Sequence, residues 1–88
     1  MKMVVHMENE VKVKILSVLD VPSTREGRAG KIDRIFSYVI EGVGTFTTVV
    51  AKEDFEGKPF ETQLEMLKSL IKREHQERIK WIGQEFKL

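Results

Sequence analysis

At 88 residues, with 41% hydrophobic and 33% charged side chains, the chain has the composition of one folded domain, 1–88, rather than of a disordered segment. A net charge of +1 excludes the heavily basic balance of a dedicated nucleic-acid binder, although a local basic patch remains open. The absence of cysteine excludes disulfides, thiolate nucleophiles and cysteine zinc sites, and fits a cytoplasmic location.

Few amides together with many Lys and Glu is the balance of heat-adapted proteins. No apolar run approaches the roughly 20 residues of a membrane span, so no membrane partner is expected. The start, MKMVVHMENE, is too short in its apolar part for a secretory leader. His6-Met7 leaves open that residues 1–6 are vector-encoded and that Met7 is the native start. Residues 1–9 either extend the first strand or stay flexible.

The first element is VKVKILSVLDV, 11–21. Val11, Val13 and Ile15 alternate with Lys12 and Lys14, and Leu16 and Val18 then make the second face apolar too. This predicts a strand that Pro22 ends, since proline cannot donate to a ladder. The next segment, 23–31, is polar, with Gly27 and Gly30 set among Arg25, Arg28 and Lys31, and Arg34 follows.

Residues 32–41 are ambiguous in period. Ile32, Ile35, Phe36, Val39 and Ile40 fall on a helical stripe, yet nearly all the apolar residues here are β-branched or aromatic. The strand reading prevails because EGVG, 41–44, leads into TFTTVV, 45–50, a hairpin pattern. With the turn at Gly42-Val43, Val39 faces Phe46 and Ile35 faces Val50. A turn centred on Glu41-Gly42 shifts these pairs and exchanges the face of Phe46 relative to Val39.

After a polar connection anchored by Phe55, Pro59 and Glu61 open a helix expected over about 60–81, about 33 Å long. Thr62 and Glu65 form a capping-box pattern that would start it later. Phe60, Leu64, Leu67, Leu70 and Ile71 form its apolar stripe, which Ile79 and Ile82 can continue. Gly83 stops it, and Phe86 and Leu88 give room for a short fourth strand. The expected fold is therefore α+β: an antiparallel meander of three strands packed on one long C-terminal helix.

GRAG, 27–30, is no Walker loop, because two residues rather than four separate its glycines and Ile32 follows Lys31. It resembles locally the GXXG loop of KH domains, which clamps a nucleic-acid backbone. That resemblance implies helices on both sides, and Ser23–Glu26 is too short for the first. The plainer reading is a wet hairpin loop whose glycines permit positive φ.

Phe36, Tyr38, Ile40 and Val49 are expected on the sheet face that a single helix leaves uncovered, beside Lys12 and Lys14. Covering by the chain's own ends, homodimerisation and base stacking are the three ways to resolve that exposure. Trp81, the only tryptophan, is a candidate interface anchor. His6, His75 and the acidic Glu53, Asp54 and Glu56 show no spacing that points to a metal, cofactor or catalytic site. His75, in the charged run 72–80, reads as a solvated helix residue.

The function expected is a non-enzymatic assembly or protein-binding domain, homo-oligomeric and in the first instance dimeric, with Phe36, Tyr38, Ile40, Val49 and Trp81 as contacts. The alternative is a single-stranded nucleic-acid binder. In it Arg25, Arg28, Lys31 and Arg34 meet phosphates and the sheet aromatics stack on bases.

Overall fold

The structure, a computed structural model, describes residues 11–88. The expectations about His6, the native start and residues 1–9 lie outside the described residues. The chain divides into two compact units, Met1–Asp54 and Phe55–Leu88.

The first unit holds an antiparallel sheet in the order β1-β2-β3. Its strands are β1 (Val13–Pro22), β2 (Ile32–Ile40) and β3 (Gly44–Ala51). A one-turn helix, α1 (Lys52–Phe55), follows directly. The second unit holds α2 (Phe60–Ile79). A three-stranded antiparallel sheet with a long C-terminal helix is the α+β fold that the sequence predicts, and residues 32–40 are extended rather than coiled.

The β2–β3 turn is the alternative that the sequence left open. Val43 N–H donates to Ile40 O at 2.9 Å, which centres the turn on Glu41-Gly42. Gly42 has φ +81°, the left-handed value that the third residue of a type II turn needs. Tyr38 therefore pairs with Phe46, Val39 with Thr45 and Ile35 with Val49. The expected pairs Val39–Phe46 and Ile35–Val50 are each displaced by one, and β3 is turned over relative to β2.

That displacement corrects the assignment of faces. One face carries Phe36, Tyr38 and Ile40 with Thr48 and Val50, all of them buried. The other carries Ile35 and Val39 with Val49, Thr45 and Thr47, and Val49 is 41% exposed. The strand residues with the largest side chains lie on the covered face, because burial of area stabilises in proportion to side-chain size. Within that face the Tyr38 hydroxyl and Thr48 Oγ1 are 2.9 Å apart, and the Tyr38 and Phe46 rings are tilted at 6.3 Å between centroids.

In the second unit Phe55 is buried, and Pro59 stands at the N-cap of α2. The helix begins ahead of the Thr62–Glu65 capping-box pattern. Gln63 Nε2 donates to Lys58 O at 2.7 Å across the start. Its buried stripe is narrower than predicted: Leu67 and Ile71 are buried, whereas Phe60 and Leu64 stay exposed. The stripe continues through half-buried Glu74, His75 and Arg78, so His75 is not the fully solvated residue expected, and its Nδ1 is buried without a hydrogen-bond partner. α2 ends at Ile79, and Trp81, Ile82, Phe86 and Leu88 are exposed. Residues 84–88 form no strand, so the sheet keeps three strands among the described residues.

Candidate functional site

The loop between β1 and β2 is built from two successive turns with one glycine each. Arg28 N–H donates to Arg25 O at 3.2 Å, and Lys31 N–H donates to Arg28 O at 3.0 Å. Gly27 (φ +82°) and Gly30 (φ +80°) occupy the same position in their respective turns. The three-residue repeat Arg-Glu-Gly, Arg-Ala-Gly is thus the repeat of the turns themselves. Ser23 N–H closes the loop on Lys31 O at 2.9 Å. Strands flank this loop on both sides, so the helices that the KH-like resemblance implies are not there.

The repeat also sets Arg25 and Arg28 toward one carboxylate. Arg25 donates from Nε and Nη2 to the two oxygens of Asp33, at 2.9 and 2.8 Å. Arg28 Nε adds a bond of 2.8 Å to Oδ1, and the Ser23 hydroxyl adds one of 2.7 Å to Oδ2. Asp33 is only 3% exposed, and a buried carboxylate persists in charged form only with this kind of donor set. Arg25 first, then Ser23 and Arg28, hold the Asp33 carboxyl well below the usual carboxylate range.

Arg28 also reaches away from Asp33. Its Nη1 and Nη2 meet both oxygens of Glu53 at 2.6 and 3.1 Å, and Nη2 donates to Ile32 O at 2.8 Å. Arg28 thereby lowers the Glu53 pKa to about 2. The guanidinium is itself stabilised in its charged form, by Glu53 first and Asp33 next. One side chain ties the loop, the start of β2 and α1 together, a task for a planar fork with five donors. Arg34 is engaged likewise: it donates to both oxygens of Asp20 at 2.8 and 3.2 Å, and Lys52 Nζ lies 3.6 Å from the same carboxylate.

Of the four cations proposed for phosphate contact, Arg25, Arg28 and Arg34 are therefore paired with carboxylates of this chain. Lys31 is exposed and adds an electrostatic pull on Glu53. Sequence reasoning counted the basic residues of the loop but missed Asp33, Asp20 and Glu53 as their counter-charges. The signal present was Asp20, which a hairpin between the first two strands brings opposite Arg34.

The chain matches no family model, no curated protein and no solved structure. Among the described residues no group of three or more His, Cys, Asp and Glu could hold a metal ion, and no helix is long and apolar enough to cross a membrane.

The residues proposed as an interface separate into two sets. Phe36, Tyr38 and Ile40 are 8%, 0% and 1% exposed, so they are core and leave the candidate surface. Val49 and Trp81 remain exposed. The surface that takes their place is β1. Among the described residues it is an edge of the sheet, and its aliphatic residues are exposed on both faces. Val13, Ile15 and Val18 share the face of Tyr38 and Phe36, while Leu19 lies opposite Ile35 on the other. The parity changes at Leu16, where the register with β2 shifts between Ile15 and Ser17.

Proposed function

We propose that this chain is a small non-enzymatic assembly domain that associates with copies of itself through the open side of its sheet. The observation that carries the proposal is β1. Among the described residues it is a ten-residue edge strand whose Leu16, Val18 and Leu19 are each more than half exposed and whose Val13 and Ile15 are more than a third exposed. Long, apolar, unpaired edges are the features that recruit another chain.

Completing the burial of one such side chain stabilises by about 1 kcal/mol, since full burial is worth about 1.5–3. Leu16, Val18 and Leu19 on each of two copies give about 6 kcal/mol, against an association cost of about 4–15 kcal/mol. The balance is close, so the association expected is reversible and concentration-dependent rather than permanent. Val49, on the face of Leu19, widens the same surface. Trp81 lies in the other unit and is a separate candidate contact.

The reading as a single-stranded nucleic-acid binder draws on the loop arginines. Phosphate contact there has to exchange the carboxylate partners of Arg25 and Arg28, and stacking has to use aromatics that are buried. The assembly reading requires neither. Light scattering over a concentration series tests it: mass should rise from one chain toward two, and a single-chain mass maintained at millimolar concentration refutes it.

A further inference from the structure

We infer that the association joins β1 to the β1 of a second copy, antiparallel about a two-fold axis at Leu19, to give a continuous six-stranded sheet; this rests on the assembly reading above. The outer side of an edge strand presents backbone N–H and C=O groups at the spacing of a ladder, and only another extended strand satisfies them in series. The occupant of this edge is therefore a strand. A second β1 fits it because its aliphatic residues line both faces, so apolar contacts form on both sides of the joined sheet. Two-fold pairing is self-complementary and closes at two chains.

The guards of the strand fix where the axis falls. Lys12 and Lys14 protect its start, the irregularity at Leu16 interrupts it, and Pro22 ends it. Ser17–Val21 is the regular stretch between them, paired without interruption to residues 33–37, and Leu19 is its middle residue and its most exposed aliphatic, at 57%. With the axis there, the Lys14 residues of the two copies stand about 33 Å apart, ten residues along the strand direction, beyond the roughly 8 Å screening length at physiological salt. Each lysine-bearing end lies toward the end of the partner strand that carries Asp20. A parallel arrangement would set lysine beside lysine.

The area is consistent with a reversible contact. With the axis at Leu19 the two strands overlap over Leu16–Pro22, about 23 Å, and in a sheet whose layer is about 10 Å thick this buries roughly 230 Å² per copy. That is under half of the roughly 800 Å² per partner of a standard stable interface.

The chain has no cysteine, so Leu19→Cys introduces its single thiol. At the axis the two Cα atoms would stand within the roughly 4.4–6.8 Å that a disulfide requires. Under mild oxidation Leu19→Cys should cross-link at least tenfold faster than Ser69→Cys, a control at an exposed position of α2. Leu19→Lys should hold the single-chain mass at concentrations where the parent chain dimerises, with an unchanged circular dichroism spectrum. Dimers by scattering with equal cross-linking of the two cysteine variants overturn the β1 pairing and leave assembly standing. A parent chain that never dimerises overturns both.

Discussion

Arg28 Nε stands 2.8 Å from Asp33 Oδ1, and the same guanidinium grips Glu53 with its other two nitrogens. Removing the Asp33 carboxylate takes a partner from Arg25, Arg28 and the Ser23 hydroxyl at once. Asp33→Asn should therefore lower the urea midpoint more than Asp20→Asn, whose carboxylate is 35% exposed and faces fewer donors. Arg28→Lys should not rescue Arg28→Ala, because an ammonium cannot span Asp33, Glu53 and Ile32 O together. Equal midpoints for the two aspartate variants would show that the loop network contributes no more than a surface pair.

The same carboxylates set an acid limb. Asp33 and Glu53 ionise more readily in the folded chain than in the unfolded one, where they titrate near about 3.9 and 4.3. Acid therefore protonates the unfolded state first. Their contribution is complete above about pH 5, and it declines as the pH falls through 4 toward the Glu53 value of about 2. Urea midpoints measured from pH 7 to pH 2 should fall only in that window, and Glu53→Gln should flatten the slope there. A decline already evident between pH 7 and 5 would have another source.

The Tyr38 hydroxyl is buried at 2.9 Å from Thr48 Oγ1. Tyr38→Phe removes one hydrogen bond and keeps the ring, so it should cost about 1 kcal/mol. Tyr38→Ala also removes the ring, and a cost of about 3–5 kcal/mol is expected. Tyr38→Phe combined with Thr48→Val should cost less than the sum of the two, because both act on one contact. Strict additivity in chemical denaturation would show that the two hydroxyls do not depend on each other.

The strands, their order and the helix were legible in the sequence because each follows from local pattern: alternation in β1, β-branched and aromatic residues in β2 and β3, and a 3.6-residue stripe in α2. The faces of the sheet were not. They hang on whether the hairpin turns at Glu41-Gly42 or at Gly42-Val43, and a one-residue difference there decides whether Phe46 lies beside Tyr38 or beside Val39. Both turns place Gly42 at a bend, so local chemistry does not choose. What separates them is that the observed turn adds Phe46, Thr48 and Val50 to the face of Phe36, Tyr38 and Ile40, which is a property of the whole packed face. The loop was legible as a wet connection between two strands, but its ion pairs were not. Its cations recur every third residue and are visible in the sequence, whereas Glu53, which neutralises Arg28, is 25 residues away.

The turn assignment yields its own test. Gly42 has φ +81°, and a Cβ there would meet nothing within 4 Å. Gly42→Ala should therefore cost about 1–2 kcal/mol through backbone strain alone. Gly42→Asn should cost less, since asparagine tolerates the left-handed region. A neutral Gly42→Ala would place the turn elsewhere and reopen the assignment of faces.

The loop arginines give the sharpest separation between assembly and nucleic-acid binding. A phosphate site built from Arg25, Arg28 and Lys31 would show binding to a mixed single-stranded oligonucleotide that weakens steeply with salt, by about 0.7 in log–log slope for each phosphate neutralised. Asp33 and Glu53 already neutralise two of these cations, so few counterions can be released. The expected outcome is no measurable binding at 0.15 M salt, and an unchanged result when Lys31→Ala removes the exposed lysine of the loop. Asp33→Asn sharpens the comparison, because it frees positive charge in the loop without adding any. If the parent chain binds and Arg25→Ala with Arg28→Ala reduces the salt slope by about 1–2, the arginines do exchange their carboxylates for phosphates and the loop is a nucleic-acid site. If oligonucleotide binding emerges only in Asp33→Asn, the buried aspartate is what withholds the loop from phosphate, and the proposal of assembly through β1 is left standing.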